Sequence, residues 1–144
     1  MIHPKVVAKD RFHQGVKTAL VKDGWNVTHD PLQMKVGGVE MEIDLGAERL
    51  IAAERGNEKI AVEVKSFLVT TSTISEFHTA LGQFINYRAA LHIQEPDRIL
   101  YLAVPDRIYN RFFQLDFPAS RLQENSVKLI VYNVELEAIL LWKN

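Results

Sequence analysis

The run at residues 59–67 restricts the fold more than any other part of the chain. Ile60, Val62 and Val64 recur at the two-residue period of a strand, and Glu63 and Lys65 fall on the opposite parity. In an extended chain those two charges share one face while Val62 and Val64 enter the other. Such a segment calls for a sheet with an apolar layer packed on one side. Gly56-Asn57 turns the chain just before it, so the strand belongs to a hairpin. Asp44, in an extended stretch at residues 41–45, can approach the charged face from a neighbouring strand.

The remaining elements follow from periodicity and breakers. Phe12, Val16, Ala19 and Leu20 recur at helical spacing within residues 9–23, and Gly24 stands where a left-handed C-cap would end the helix. Short strands are expected at residues 25–29 and 32–36, with a turn at Gly37-Gly38, and a further apolar stretch at residues 50–54. Thr73 and Glu76 read as a capping box that opens a long helix, with Ile74, Phe77, Leu81, Phe84 and Leu91 on one side. Glu95-Pro96-Asp97 breaks it, and residues 99–104 form the nearly continuous apolar run of a buried strand. Pro105-Asp106 starts a helix carrying Ile108, Phe112 and Leu115, a loop passes through Pro118, and residues 127–134 and 136–142 supply two last strands. The order implies an α/β fold with a mixed central sheet flanked by helices and an additional C-terminal β-hairpin.

Composition narrows the function classes. The 144 residues suit one domain spanning 1–144, and 47% hydrophobic with 24% charged residues is ordinary globular usage. With 17 basic and 18 acidic side chains the net charge is -1, so a polyanion would be held by a local group of cations rather than by the overall field. Lys5, Lys9, Arg11, Lys17, Arg88, Arg107 and Arg111 are the candidates, with DNA contacts left unassigned among them. The absence of cysteine removes disulfides, thiol nucleophiles and Cys-containing zinc sites, and it fits a reducing compartment, with the cytoplasm expected. No stretch has the roughly 20 apolar residues of a bilayer helix, and the N-terminus lacks a signal-peptide layout, so no membrane association is expected.

The chemistry concentrates in Asp44, Glu63 and Lys65. A Glu-x-Lys pair by itself is common on solvated faces, so its combination with Asp44 and a following helix carries the signal. Two carboxylates on adjacent strands can share a hard cation such as Mg²⁺, or Mn²⁺, with help from the Val64 carbonyl. Such ions favour phosphate oxygens as further ligands, and an ammonium at Lys65 would orient a water and stabilise charge on phosphorus oxygens. Phosphodiester hydrolysis is the reaction class this implies. Gln83 and Tyr87, one helical turn apart, can point from one edge of the helix toward the same end of the sheet.

Other signals lead elsewhere and fail. His29-Asp30 precedes Pro31 in a strand-rich region, unlike the helical HD phosphohydrolases. The histidines lack metal-ligand spacing, and Gly37-Gly38 lacks the context of a phosphate-cradling loop.

Ile43-Asp44, Glu63-x-Lys65 and Gln83-x-x-x-Tyr87 together resemble the PD-(D/E)xK nuclease superfamily, with Ile43 in place of the name-giving proline. The resemblance implies a restriction endonuclease-like fold with an αβββαβ core, Asp44, Glu63 and Lys65 as catalytic residues, and Asp44, Glu63 and Val64 at the metal. Gln83 and Tyr87 would support the site. Helix one offers Asp10, His13 and Gln14 but no glutamate where many members carry one. Over nearly its whole length the chain is also similar to the XisH family, the cyanobacterial fdxN element excision controlling factors. Asp44 to Glu48, Ile60 to Phe67 and Leu100 to Pro105 are among the stretches that carry this likeness. It implies DNA as a partner, together with an XisI-like protein and a site-specific recombinase. The alternative it leaves open is a catalytically inactive accessory factor that binds DNA or protein. A homodimer through the final hairpin is a further expectation.

Overall fold

The computed structural model describes residues 4–52, 56–69 and 72–144. Helix α1 (Pro4–Lys22) begins earlier than the expected residue 9, with Pro4 at the first helical position, where its missing N–H costs no intrahelical bond. Phe12, Val16, Ala19 and Leu20 are all buried. The helix ends as expected at Gly24, whose φ of +91° is left-handed, with Trp25 N donating to Leu20 O at 3.0 Å.

Strands β1 (Asn26–His29), β2 (Leu32–Val36) and β3 (Val39–Ile43) follow. β2 and β3 form a separate antiparallel hairpin. Gly37 and Gly38, at φ +57° and +82°, supply the two positive angles that suit a tight hairpin turn. The chain then bends at Asp44 and enters β4 (Leu45–Ala52), which pairs antiparallel with β5 (Gly56–Val64). The expected extension from Met41 through Leu45 is thus broken at Asp44, and the stretch expected only from Leu50 begins at Leu45. Residues 53 and 54 of that expectation lie outside the described residues.

Helix α2 (Thr73–Gln94) has the expected length, but its N-cap is Ser72, whose side chain accepts from Ser75 N. With Ser72 at the cap the expected Thr73 capping box is not formed, and the Glu76 carboxylate accepts from Phe67 N. Phe77, Phe84 and Leu91 are buried as anticipated, whereas Ile74, in the exposed first turn, is not. Strand β6 (Arg98–Pro105) is buried along most of its length.

The expected helix through Ile108, Phe112 and Leu115 is replaced by α3 (Asp106–Tyr109), a 3₁₀ turn (Phe112–Gln114) and α4 (Asp116–Glu124). Arg111 leaves helical geometry at φ -115°, ψ -81° and divides the segment. Pro118 lies in the first turn of α4, where a missing N–H is tolerated, so it sits inside a helix and not in a loop. Strands β7 (Leu129–Asn133) and β8 (Ala138–Lys143) form the C-terminal hairpin.

Among the described residues, six strands form one mixed sheet in the order β1-β4-β5-β6-β7-β8, with β5-β6 and β6-β7 parallel. Side-chain alternation sorts its two faces. Ile60, Val62, Ala103 and Ile130 pack with Phe12, Val16 and Leu20 of α1. Ala61, Leu102, Val104 and Leu129 pack with Phe77, Phe84 and Leu91 of α2. The expected α/β fold with a helix-flanked mixed sheet and a final hairpin is what the chain forms. Among the described residues no helix is long and apolar enough to cross a membrane.

Candidate active site

Register builds the site. Leu45 pairs with Val62 in the antiparallel β4-β5 ladder, so Asp44, at the bend just outside it, falls beside Glu63. Two hydrogen bonds join them crosswise: Val64 N donates to Asp44 Oδ2 at 2.7 Å, and Asp44 N donates to Glu63 Oε1 at 3.2 Å. Each acid is thus held by backbone belonging to the other's segment. Lys65 Nζ lies 3.5 Å from Glu63 Oε2, an ion pair with both side chains largely enclosed. Asp44, Glu63, Val64 and Lys65 share one cleft of about 260 Å³, with Lys9 and His13 of α1 on its wall. It opens at the carboxyl end of β5, where parallel strands commonly present ligand sites.

Electrostatics in this cleft are poised. Burial, then the neighbouring Asp44 carboxylate, push Glu63 from 4.5 up to about 7, and the Lys65 ammonium offsets this only in part. Two carboxylates compressed together beside one ammonium make a donor set that suits a hard divalent cation, since oxygen ligands and unrelieved negative charge are both present. Among the described residues no group of three or more His, Asp or Glu side chains is placed to hold a metal ion, so the set amounts to two acids plus backbone.

The segment after β5 is clamped from three sides. Tyr132 Oη donates to Lys65 O at 2.9 Å, and Arg107 Nη2 donates to Ser66 O at 2.9 Å and also to Phe67 O. Phe67 itself sits at φ +48°, an unusual conformation for a large side chain, while its N–H is held by Glu76. Sequence reasoning missed the parts played by Tyr132, Glu76 and His13, and no spacing signal marks them, since each reaches the site from a different element. Arg107 was among the expected phosphate cations, yet its guanidinium serves these carbonyls.

The other expected groups are more dispersed. Tyr87 lines a neighbouring groove of about 650 Å³ with Met41 and Glu42, not the acid cleft. Burial and then Glu63, Asp44 and Glu42 raise its phenol, so its ring remains within the field of the acids. Gln83 Oε1 is buried without a hydrogen-bond partner among the described residues. Of the remaining cations, Arg11 pairs with Glu135, Lys17 with Asp30, and Arg88 donates to the carbonyls of Asn125 and Ser126. Lys9 stands exposed on the cleft wall, and Lys5 lies outside the described side chains.

Comparison with known proteins accords with this architecture. No curated protein matches the chain. Two solved structures do: an XisH family protein from Nostoc punctiforme, at 59% identity and TM-score 0.86 over 94% of this chain and 100% of that one, and an fdxN element excision controlling factor protein from Anabaena variabilis, at 61% identity and TM-score 0.87 over 94% and 99%. The family model of the XisH protein matches residues 6–140. With nearly the whole length matched, and the acid-lysine strand inside it, the chain belongs to the XisH family.

Proposed function

We propose that this chain is an fdxN element excision controlling factor acting on DNA, and that it hydrolyses phosphodiesters with Mg²⁺ or Mn²⁺ in the cleft at the end of β5. The observation that carries this reading is the crosswise pairing of Asp44 and Glu63 beside Lys65. Asp44, Glu63 and the Val64 carbonyl would hold the ion, which supplies a Lewis acid and a more acidic water. Lys65 would face the phosphorus oxygens and stabilise the negative charge that grows there. Its ammonium is well kept for that work: Tyr132 fixes the Lys65 backbone, and Glu63 holds its tip. Gln83 and Tyr87 of α2 would support the site from outside the cleft, Tyr87 from the neighbouring groove. The likeness of the motif to the PD-(D/E)xK nucleases supports the same assignment.

The test is direct. Purified protein incubated with single-stranded and duplex DNA should cleave it when Mg²⁺ or Mn²⁺ is added, and not when the ion is chelated. Asp44→Ala, Glu63→Ala and Lys65→Ala should each lower the rate by roughly 10²-fold or more, in line with the loss of one charge-stabilising group. Activity that persists in all three folded variants rejects the assignment.

The limited acid set favours one second reading, a non-catalytic accessory factor in which the cluster serves fold and binding. The two readings part in a simple comparison: DNA retention and capture of an XisI-like protein or a site-specific recombinase, each measured with and without Mg²⁺. Metal-independent binding without cleavage would mark the accessory role. A second copy of this chain is a further proposed partner, through β8, an edge strand on which Leu140 and Leu141 are exposed. The cytoplasm is the proposed location.

A further inference from the structure

On the wall of the acid cleft stands His13 of α1, which pairs behind it with Asp30 from the turn before β2. His13 Nε2 lies 2.7 Å from Asp30 Oδ1, and Lys17 Nζ lies 2.9 Å from Asp30 Oδ2. A carboxylate only accepts, so Nε2–H donates to Asp30, and in the imidazolium form Nδ1 carries the second hydrogen. Asp30 is held ionised against its partial burial by hydrogen bonds from Lys17 and His13. The charged and titratable groups around the ring are Lys9, Asp10 and Lys17 on its own helix, Asp30 from the turn before β2, and Asp44, Glu63, Lys65 and Glu76 across the cleft.

Two carboxylates suffice for one hard divalent ion, and among the described residues no third acid gathers to hold another. In two-metal hydrolysis the second ion stabilises the departing oxygen. Among the described residues the cleft lacks a second metal's ligands, whereas His13, braced by an ionised aspartate, is one of its lining residues.

Resting on the hydrolytic reading above, we infer that His13 is the general acid for the departing oxygen of the phosphodiester, with Asp30 as its positioning residue. Water adds to phosphorus and forms the new P–O bond. The P–O bond to the leaving oxygen breaks with its electron pair on that oxygen, which takes the Nδ1 proton of the His13 imidazolium and leaves a neutral ring whose Nε2–H still donates to Asp30. The proton lost by the water passes to solvent, and the ring is reprotonated from solvent. The products are a phosphomonoester and a hydroxyl, and no other reactant is needed. The substrate class that needs this group is a diester with an alkoxide-like leaving group, as in DNA.

A change of leaving group tests the role. His13→Ala should lower DNA cleavage roughly 10²- to 10⁴-fold, while hydrolysis of thymidine 5′-(4-nitrophenyl) phosphate, whose phenolate departs unprotonated, should be little changed. His13→Gln keeps an N–H for Asp30 but no transferable proton, and it should behave as His13→Ala does; this separates chemistry from folding. Asp30→Asn should lower the DNA rate more than the nitrophenyl rate. Equal losses on both substrates, or full DNA cleavage by both His13 variants, overturn the inference. If Lys65→Ala abolishes cleavage while the His13 variants retain it, the hydrolytic reading stands and this inference falls. If wild-type protein cleaves neither substrate with Mg²⁺ or Mn²⁺, both fall.

Discussion

Glu63 is where sequence and environment conflict most. A buried carboxylate beside a second one favours its protonated form, and the Lys65 ammonium at 3.5 Å recovers only part of the loss. With the folded-state value raised from 4.5 to about 7, the folded chain keeps a proton that the unfolded chain has released. This contribution to stability is complete below 4.5 and is lost as pH climbs past about 7. Glu63→Gln should therefore match wild type at low pH and exceed it at pH 8 by on the order of 2–3 kcal/mol in chelator-treated protein. Urea unfolding at several pH values measures this, and a difference that does not change with pH would contradict the assigned burial and repulsion. The pairing of Glu63 with Lys65 could be read from strand alternation, because the period of two needs no partner. Its burial could not be, since that depends on α2 covering this face.

At the scale of elements, β4 shows what a close approach demands. A Cβ on Gly46 would meet His29 Cβ and Nδ1 at 3.1 Å and Arg98 Nη1 at 3.3 Å, so the strand lies against its neighbours only because the side chain is absent. Gly46→Ala should cost about 1–3 kcal/mol by overpacking. Because β4 holds Asp44 in register with Glu63, it should also weaken Mg²⁺-dependent activity; thermal unfolding and cleavage assays check the two effects. This strand was the least legible of the sheet. Its small and charged residues give no alternating pattern, and its placement comes from pairing with β1 and β5 on either side. The long helix α2 was legible for the opposite reason, since 22 residues of apolar periodicity outweigh a misplaced cap. The segment around α3 and α4 misled because a proline and several exposed apolar residues are compatible with either a loop or a first helical turn.

Across the whole molecule, Arg98 ties the elements together at the sheet end remote from the acid cleft. Its side chain is almost fully enclosed, donating to Ile60 O at 2.9 Å and pairing with Glu95 at 3.0 Å and Glu48 at 3.5 Å. One guanidinium thus links the end of α2 to β4 and β5. Arg98→Ala should cost about 3 kcal/mol, as expected when one partner of a buried ion pair is removed, and the loss should appear in the midpoint of denaturant unfolding. Metal binding is read at the same scale. At a hundredfold excess over its dissociation constant, Mg²⁺ should stabilise the folded chain by about 2.7 kcal/mol, an effect that shrinks in Asp44→Asn and Glu63→Gln. It should grow as pH rises through about 7, because the proposed ion would bind the ionised form of Glu63. A thermal shift indifferent to all three changes would place the ion elsewhere.

Local pattern was sufficient for the α/β class, for most strands, and for Asp44, Glu63 and Lys65 as a candidate group. Helical and strand periods, glycine turns and the parity of a single strand are properties of neighbouring residues along the chain. Tertiary structure decided that Asp44 and Glu63 grip each other's backbone, that Tyr132 and Arg107 brace the strand end, and that His13 reaches the cleft. Those contacts join residues tens of positions apart, so they exist only once sheet register and helix packing have fixed which faces meet.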